Sequence, residues 1–317
     1  MSVHGEGIDA MATYPDYRAR YGDWALVVGG SEGLGEALAR DLARRGMNLA
    51  LVARSAEKLQ STADAIAGEY GVETVAIPAD LGQRDVLDHL LSGLGGREIS
   101  FMIYNCAAEN DGEFLALDLD CHMNTIQVNC IAPTVLMHHF GKQMARRKRG
   151  GILLCSSISA FQGSYAWAAY AASKAYEMIL GEGLWYELKD HGVDVAALML
   201  GATNTPNFKR LFGGHGDKSF ENFPSFEAPQ EPVDASAALF AQIDREWLPL
   251  IFANAKDEEA TRPQAHCRRQ SSSRWSASRC ARSTRASSQL AAPDRGERRQ
   301  GGAARLAAGA CPRPKGR

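Results

Sequence analysis

Seven short apolar runs punctuate the chain, at 24–28, 48–53, 73–77, 99–104, 151–155, 193–200 and 248–253. Between them lie stretches near 33–45, 55–70, 83–95, 120–148, 166–191 and 232–244 with helical patterning. Short, continuous runs of Val, Ile, Leu and Ala predict strands buried on both faces, and strands that alternate with helices run parallel. The expected fold is therefore α/β: a doubly wound parallel β-sheet in three α/β/α layers, one domain over 21–255 behind an N-terminal extension, 1–20. In such a sheet, ligands bind beyond the carboxyl ends of the strands.

Two stretches at those ends carry chemistry. Trp24-Ala-Leu-Val-Val28 leads into Gly29-Gly-Ser-Glu-Gly33-Leu-Gly35 and then into a helical pattern. Strand, glycine turn and helix form a dinucleotide-binding context, because glycines admit a pyrophosphate close to the backbone and a helix N-terminus favours its charge. Far downstream, Tyr170 and Lys174 are four residues apart in a helical stretch, so they share one face. A cation beneath a phenol favours the phenolate, so Lys174 is expected to lower the Tyr170 pKa toward working pH. Ser157 lies thirteen residues before Tyr170, just past the run Gly151-Ile-Leu-Leu-Cys155, where its hydroxyl could bind a carbonyl oxygen.

The glycine spacing G-x-x-x-G-x-G, together with Ser157, Tyr170 and Lys174, resembles the short-chain dehydrogenase/reductase family in its single-domain form, over about residues 20 to 250. The resemblance implies a Rossmann fold and an oxidoreductase of class EC 1.1.1.-, with hydride passing reversibly between a nicotinamide and a ketone or secondary alcohol. Ser157, Tyr170 and Lys174 would be catalytic, and Asn129 would hold a water linking the lysine to solvent. Around the cofactor it places Gly29, Ser31, Glu32, Gly33, Leu34 and Gly35 of the turn, and Asp80 and Leu81 beside the adenine. Asn105 and Ala107 of Asn105-Cys-Ala-Ala108, then Tyr170, Lys174, Gly201 and Thr203, complete the set. Val28, Cys106, Ala108 and Leu200 depart from the family's usual Thr, Asn, Gly and Pro.

The second strand bears on the nucleotide. The position where an acid would hold the ribose hydroxyls of NAD reads Leu51-Val-Ala53-Arg54-Ser55, with an Arg and no carboxylate. A guanidinium suits a 2′-phosphate, so NADP(H) is favoured over NAD(H), although Glu32 stands where NADP-preferring relatives carry a basic residue. The segment 202–231 has no clear period and contains Phe208, Phe212, Phe220, Phe223 and Phe226. In the family this region is the substrate lid, with Thr203 or Thr205 near the nicotinamide amide. Its phenylalanines point to an apolar or bulky small-molecule substrate such as a steroid, acyl chain or polyketide ring. His215 reads equally as a surface residue or a ligand contact. A catalytically silent NADP-binding sensor or scaffold is the alternative, and it would commonly lack the Tyr or the Lys.

Charge divides the chain. Residues 262–317 hold 14 Lys and Arg against 2 Asp and Glu, leaving 21 and 35 for residues 1–261. That tail is rich in Arg, Ser, Ala, Gly and Pro and cannot bury a core, so it reads as a basic disordered arm or as non-native, out-of-frame sequence. The basic run Arg146-Arg-Lys-Arg149 complements a helix C-terminus, and no nucleic-acid partner is expected. Residues 1–20 lack the apolar core of a signal peptide and no run is long enough to span a membrane, which leads to the expectation of a cytoplasmic protein. Seven singly placed cysteines, at 106, 121, 130, 155, 267, 280 and 311, predict buried thiols and no metal site. The helices 120–148 and 166–191 resemble those through which family members form dimers and tetramers, with Tyr165, Trp167, Tyr176, Trp185 and Tyr186 in core and interface.

Overall fold

A computed structural model describes residues 14–212 and 229–261, so the tail from 262 and the middle of the expected lid, with His215, lie outside the described residues. Seven parallel strands form one sheet in the order β3-β2-β1-β4-β5-β6-β7. They are β1 (Trp24–Val28), β2 (Asn48–Ala53), β3 (Thr74–Pro78), β4 (Ile99–Tyr104), β5 (Gly150–Ser157), β6 (Val193–Leu200) and β7 (Leu250–Phe252). β2 and β4 are buried at every position, which is why they lack polar alternation. Two apolar layers cover the sheet, one around Leu38, Leu49 and Phe240, the other around Leu90, Met102 and Phe140.

The helices are α1 (Tyr17–Tyr21), α2 (Gly33–Arg44), α3 (Ala56–Tyr70), α4 (Val86–Leu94), α5 (Leu119–Ile126), α6 (Ala132–Arg147), α7 (Ala168–Leu188), α8 (Pro206–Phe212) and α9 (Pro232–Ile243). Glycines in the left-handed region, Gly71 and Gly95, close α3 and α4. The order reverses between β1 and β4, so a crevice opens at their carboxyl ends.

Three features differ from the sequence pattern. The core reaches into the segment read as an N-terminal extension: Tyr17, within it, and Tyr21, just past it, are fully buried against Phe101, with ring centroids 5.6 and 5.1 Å away. Burial of each ring stabilises by roughly 2 kcal/mol. The stretch read as one helix at 120–148 is interrupted by a π-helical turn, Gln127–Ile131. Within the aperiodic segment, Pro206–Phe212 is helical, begun by Thr205, whose Oγ1 accepts from the Phe208 amide at 3.0 Å.

Candidate active site at the carboxyl end of the sheet

The glycine turn between β1 and α2 packs backbone on backbone. Gly29 (φ +89°) and Gly33 (φ +59°) occupy the left-handed region. A Cβ on Gly35 would lie 1.8 Å from the Gly29 carbonyl oxygen, so a side chain cannot be accommodated without moving the turn. Asn105 fastens β4 to this turn: its amide donates to Val28 O at 2.8 Å and its Nδ2 to Gly29 O at 3.4 Å. Ser31 and Leu34 belong to the same turn, with Leu34 buried. This cradle, with the N-terminus of α2 behind it, fits a pyrophosphate.

Glu32 sits at the N-cap of α2 and is bound by Lys58 of α3 and by Arg210 of α8, the latter at 3.1 Å. Burial acts to raise its carboxyl, but these two cations hold it below the usual range. Arg54 is exposed just past β2 and makes no ion pair among the described residues. Asp80 follows β3, its Oδ1 accepting from the Gly82 amide at 2.9 Å, and Leu81 beside it is buried.

Ser157 ends β5, with its Oγ accepting from the Ser159 amide and hydroxyl at 3.2 and 2.8 Å. Tyr170 and Lys174 lie on α7, the Lys174 Nζ 5.8 Å from the Tyr170 ring centre. Desolvation pushes the phenol up to about 12. Lys174 and a hydrogen bond from Ser157 act to lower it, while Glu109 and Glu177 raise it further. Lys174 therefore acts in the expected direction, but burial of the phenol outweighs it, and the ammonium is itself paired: Nζ donates to Glu177 Oε2 at 2.7 Å and to Cys155 O at 2.9 Å.

Asn129 is fully buried in the π-helical turn. Its side chain binds the Ala108 amide and carbonyl at 2.7 and 2.8 Å and the Ser173 hydroxyl at 2.9 Å, tying the loop after β4, which also holds Ala107, to α7. Gly201 and Thr203 follow β6, where the Thr203 hydroxyl donates back to Gly201 O at 3.3 Å.

Each of these residues therefore lies past the carboxyl end of its strand or on the helix beside it. Two acids escaped the sequence reading. Glu109 stands in the loop after β4, hydrogen-bonded by Asn207 of α8, and burial raises its carboxyl. Glu177 is three residues beyond Lys174, and a carboxylate on the inward face of an apolar helix was the available signal. Among the described residues no cluster could hold a metal, and no helix is long and apolar enough to cross a membrane.

The family model of short chain dehydrogenases matches residues 23–214. A 7beta-hydroxysteroid dehydrogenase of Collinsella aerofaciens is 32% identical over 76% of this chain and 90% of its own. A mouse protein, inactive hydroxysteroid dehydrogenase-like protein 1, is 29% identical over 82% of this chain and 84% of its own. The solved structure of a short-chain dehydrogenase from Sphingobium yanoikuyae in complex with NADPH superposes with a TM-score of 0.66, at 26% identity, over 87% of this chain and all of that one.

Proposed function

We propose that this chain, an oxidoreductase that belongs to the short-chain dehydrogenase family, uses NADP(H) to interconvert a bulky apolar ketone, of steroid or similar size, and its secondary alcohol. The observation that carries the reading is the meeting of Ser157, Tyr170 and Lys174 beside the glycine cradle at one end of the sheet. The hydroxysteroid dehydrogenase relative and the NADPH complex support the substrate class and the nucleotide.

When bound, the nicotinamide supplies or accepts the hydride. The chain's own residues do the rest. Ser157 accepts two hydrogen bonds through Oγ, and its one proton, directed at Tyr170 in the free chain, turns to the substrate oxygen when substrate binds. Tyr170, protonated throughout the neutral range, gives its proton to that oxygen as negative charge develops, and Lys174 stabilises the phenolate left behind. Arg54 would take the 2′-phosphate, and Asp80 and Leu81 would contact the adenine. The exposed apolar residues Met123, Ile131, Ile179 and Tyr186 of the α5–α7 region support assembly as a homodimer or homotetramer, to be checked by light scattering.

The test is a titration of the full-length protein with NADPH and NADH, then turnover on ketosteroids, acyl thioesters and aromatic ketones, with Tyr170→Phe as control. The expected result is tighter NADPH binding and a rate that falls roughly 10²–10⁴-fold in the variant while binding persists. Cofactor binding with no turnover on any ketone would favour the silent reading, for which the inactive mouse relative gives precedent.

A further inference from the structure

Tyr170, Lys174 and Glu177 fall on successive turns of α7 and share its inward face. The Lys174 and Glu177 side chains are only 4% and 0% exposed. One carboxylate oxygen of Glu177 takes the ammonium at 2.7 Å, and the other, Oε1, is buried with no hydrogen-bond partner among the described residues. A carboxylate kept only for stability is poorly served by such a setting, since an unpartnered buried oxygen costs free energy that an aliphatic side chain would avoid.

We propose that Glu177 is a positioning residue for the chemistry of Tyr170: it anchors the Lys174 ammonium and offsets its charge, so that the phenol keeps its proton and the site favours carbonyl reduction over alcohol oxidation. This rests on the reading of Tyr170 as proton donor given above.

Charge counting supplies the sign. With the phenol protonated, Tyr170, Lys174 and Glu177 sum to zero, and losing the phenolic proton leaves a buried net charge of about −1. With a neutral residue at 177 the same loss takes the cluster from about +1 to zero, so the proton leaves at lower pH, whichever member of the coupled pair releases it. Apart from Glu109, the other groups around the pair do not supply charge near neutrality. Burial raises Tyr104 of β4, and pushes Cys106 in the loop after it up to about 12 and Cys130 of the π-helical turn up to about 11. Cys155 of β5 is raised likewise. Glu109 is the remaining acid, acting on Tyr170 from the loop after β4. Glu177 itself is pushed up to about 7 by burial against the pull of Lys174. As pH falls through that value it gains a proton, the ammonium is no longer offset, and Tyr170 becomes the stronger acid.

The experiment compares the wild type with Glu177→Gln, Glu177→Val and Tyr170→Phe in the full chain. It records pH profiles for ketone reduction and alcohol oxidation with NADP(H), and phenolate absorbance as the difference from Tyr170→Phe. In both Glu177 variants the alkaline rise of oxidation should move down by about one unit or more, making oxidation about tenfold faster at a fixed pH on that limb. KM for the cofactor should change less than about twofold, and the phenolate titration should move the same way. The wild-type reduction profile should also carry an inflection near 7 that the variants lack. An unmoved or upward-moved limb in either folded variant overturns the proposal. If neither variant folds, the wild-type inflection decides, and its absence overturns it. Turnover that survives Tyr170→Phe would sink the reading of the site, and this inference with it. Tyr170-dependent turnover with an unmoved limb sinks only the role of Glu177.

Discussion

Buried charge collects at both ends of this sheet, and the two clusters are built differently. At the amino end, Arg45 donates to Asp41 Oδ1 at 3.3 Å and to Asp244 Oδ2 at 2.6 Å. Asp244 Oδ1 takes the Tyr17 hydroxyl at 2.6 Å, and Asp41 Oδ2 takes that of Ser236 at 2.5 Å. All four carboxylate oxygens thus have donors, and the guanidinium lies 4.3 Å from the Phe240 ring centre, with its Nε buried and without a hydrogen-bond partner among the described residues. This network, closed at its carboxylates, ties α1, α2 and α9 together. The pair at the carboxyl end, Lys174 with Glu177, holds one cation, one anion and an oxygen without a partner. A closed network spends its charge on its own members, whereas an open pair leaves field to act on a neighbour, here Tyr170. Position in the fold agrees: the closed cluster is at the end where α/β proteins build stability, the open one where they bind ligands.

The contrast is broken most severely by Lys174→Met, which strands Glu177 beside the phenol. Turnover should fall about 10²–10⁴-fold. Stability should fall by about 3 kcal/mol at pH 8. The second loss should shrink at pH 6. With the ammonium gone, the folded-state pKa of Glu177 rises above the wild type's value of about 7. Its cost, absent below the unfolded carboxyl's pKa, therefore keeps growing up to a higher pH than in the wild type, and the difference between the two widens from pH 6 to pH 8. Urea midpoints at both pH values check this, and equal losses would mean that the carboxylate bears no uncompensated charge. Arg45→Met is the matching lesion in the closed network. It should cost about 3 kcal/mol of stability with turnover per folded molecule unchanged. A fall in turnover with the urea midpoint intact would dissolve the distinction between the two ends.

What was legible in the sequence follows the same division between local and distant causes. The strands at 24–28, 48–53, 99–104 and 193–200, the glycine turn and the face shared by Tyr170 and Lys174 depend on neighbours within a few residues, and the structure reproduces those elements. The π-helical turn at Gln127–Ile131 was hidden because its buried Asn129 binds Ala108, twenty-one residues away. Helix α1 is too short for a period, and its tyrosines are held by Asp244 and Asp194, far along the chain. Glu177 could have been found from spacing alone once Tyr170 was placed inward, since residues seven apart share a helix face. A lone Glu in a helix reads as solvated until the helix is known to press that face onto β5 and β6.

The smallest expected effect concerns charges at the surface, where the same distinction applies to the nucleotide. Glu32 engages Lys58 and Arg210, so both cations are already partnered, while Arg54 makes no ion pair among the described residues and remains available to a phosphate. Arg54→Ala should weaken NADPH binding by about tenfold or more, the worth of a charge-assisted hydrogen bond, and leave NADH within about twofold. Fluorescence titration of both cofactors reads the ratio directly. Glu32→Gln should move it the other way by a few-fold, because it releases Lys58 and removes a negative charge beside the cradle. Were Arg54→Ala to weaken both cofactors equally, the guanidinium would be holding a part common to the two nucleotides. Selectivity would then lie with Lys58, and Glu32 would be the residue that restrains it.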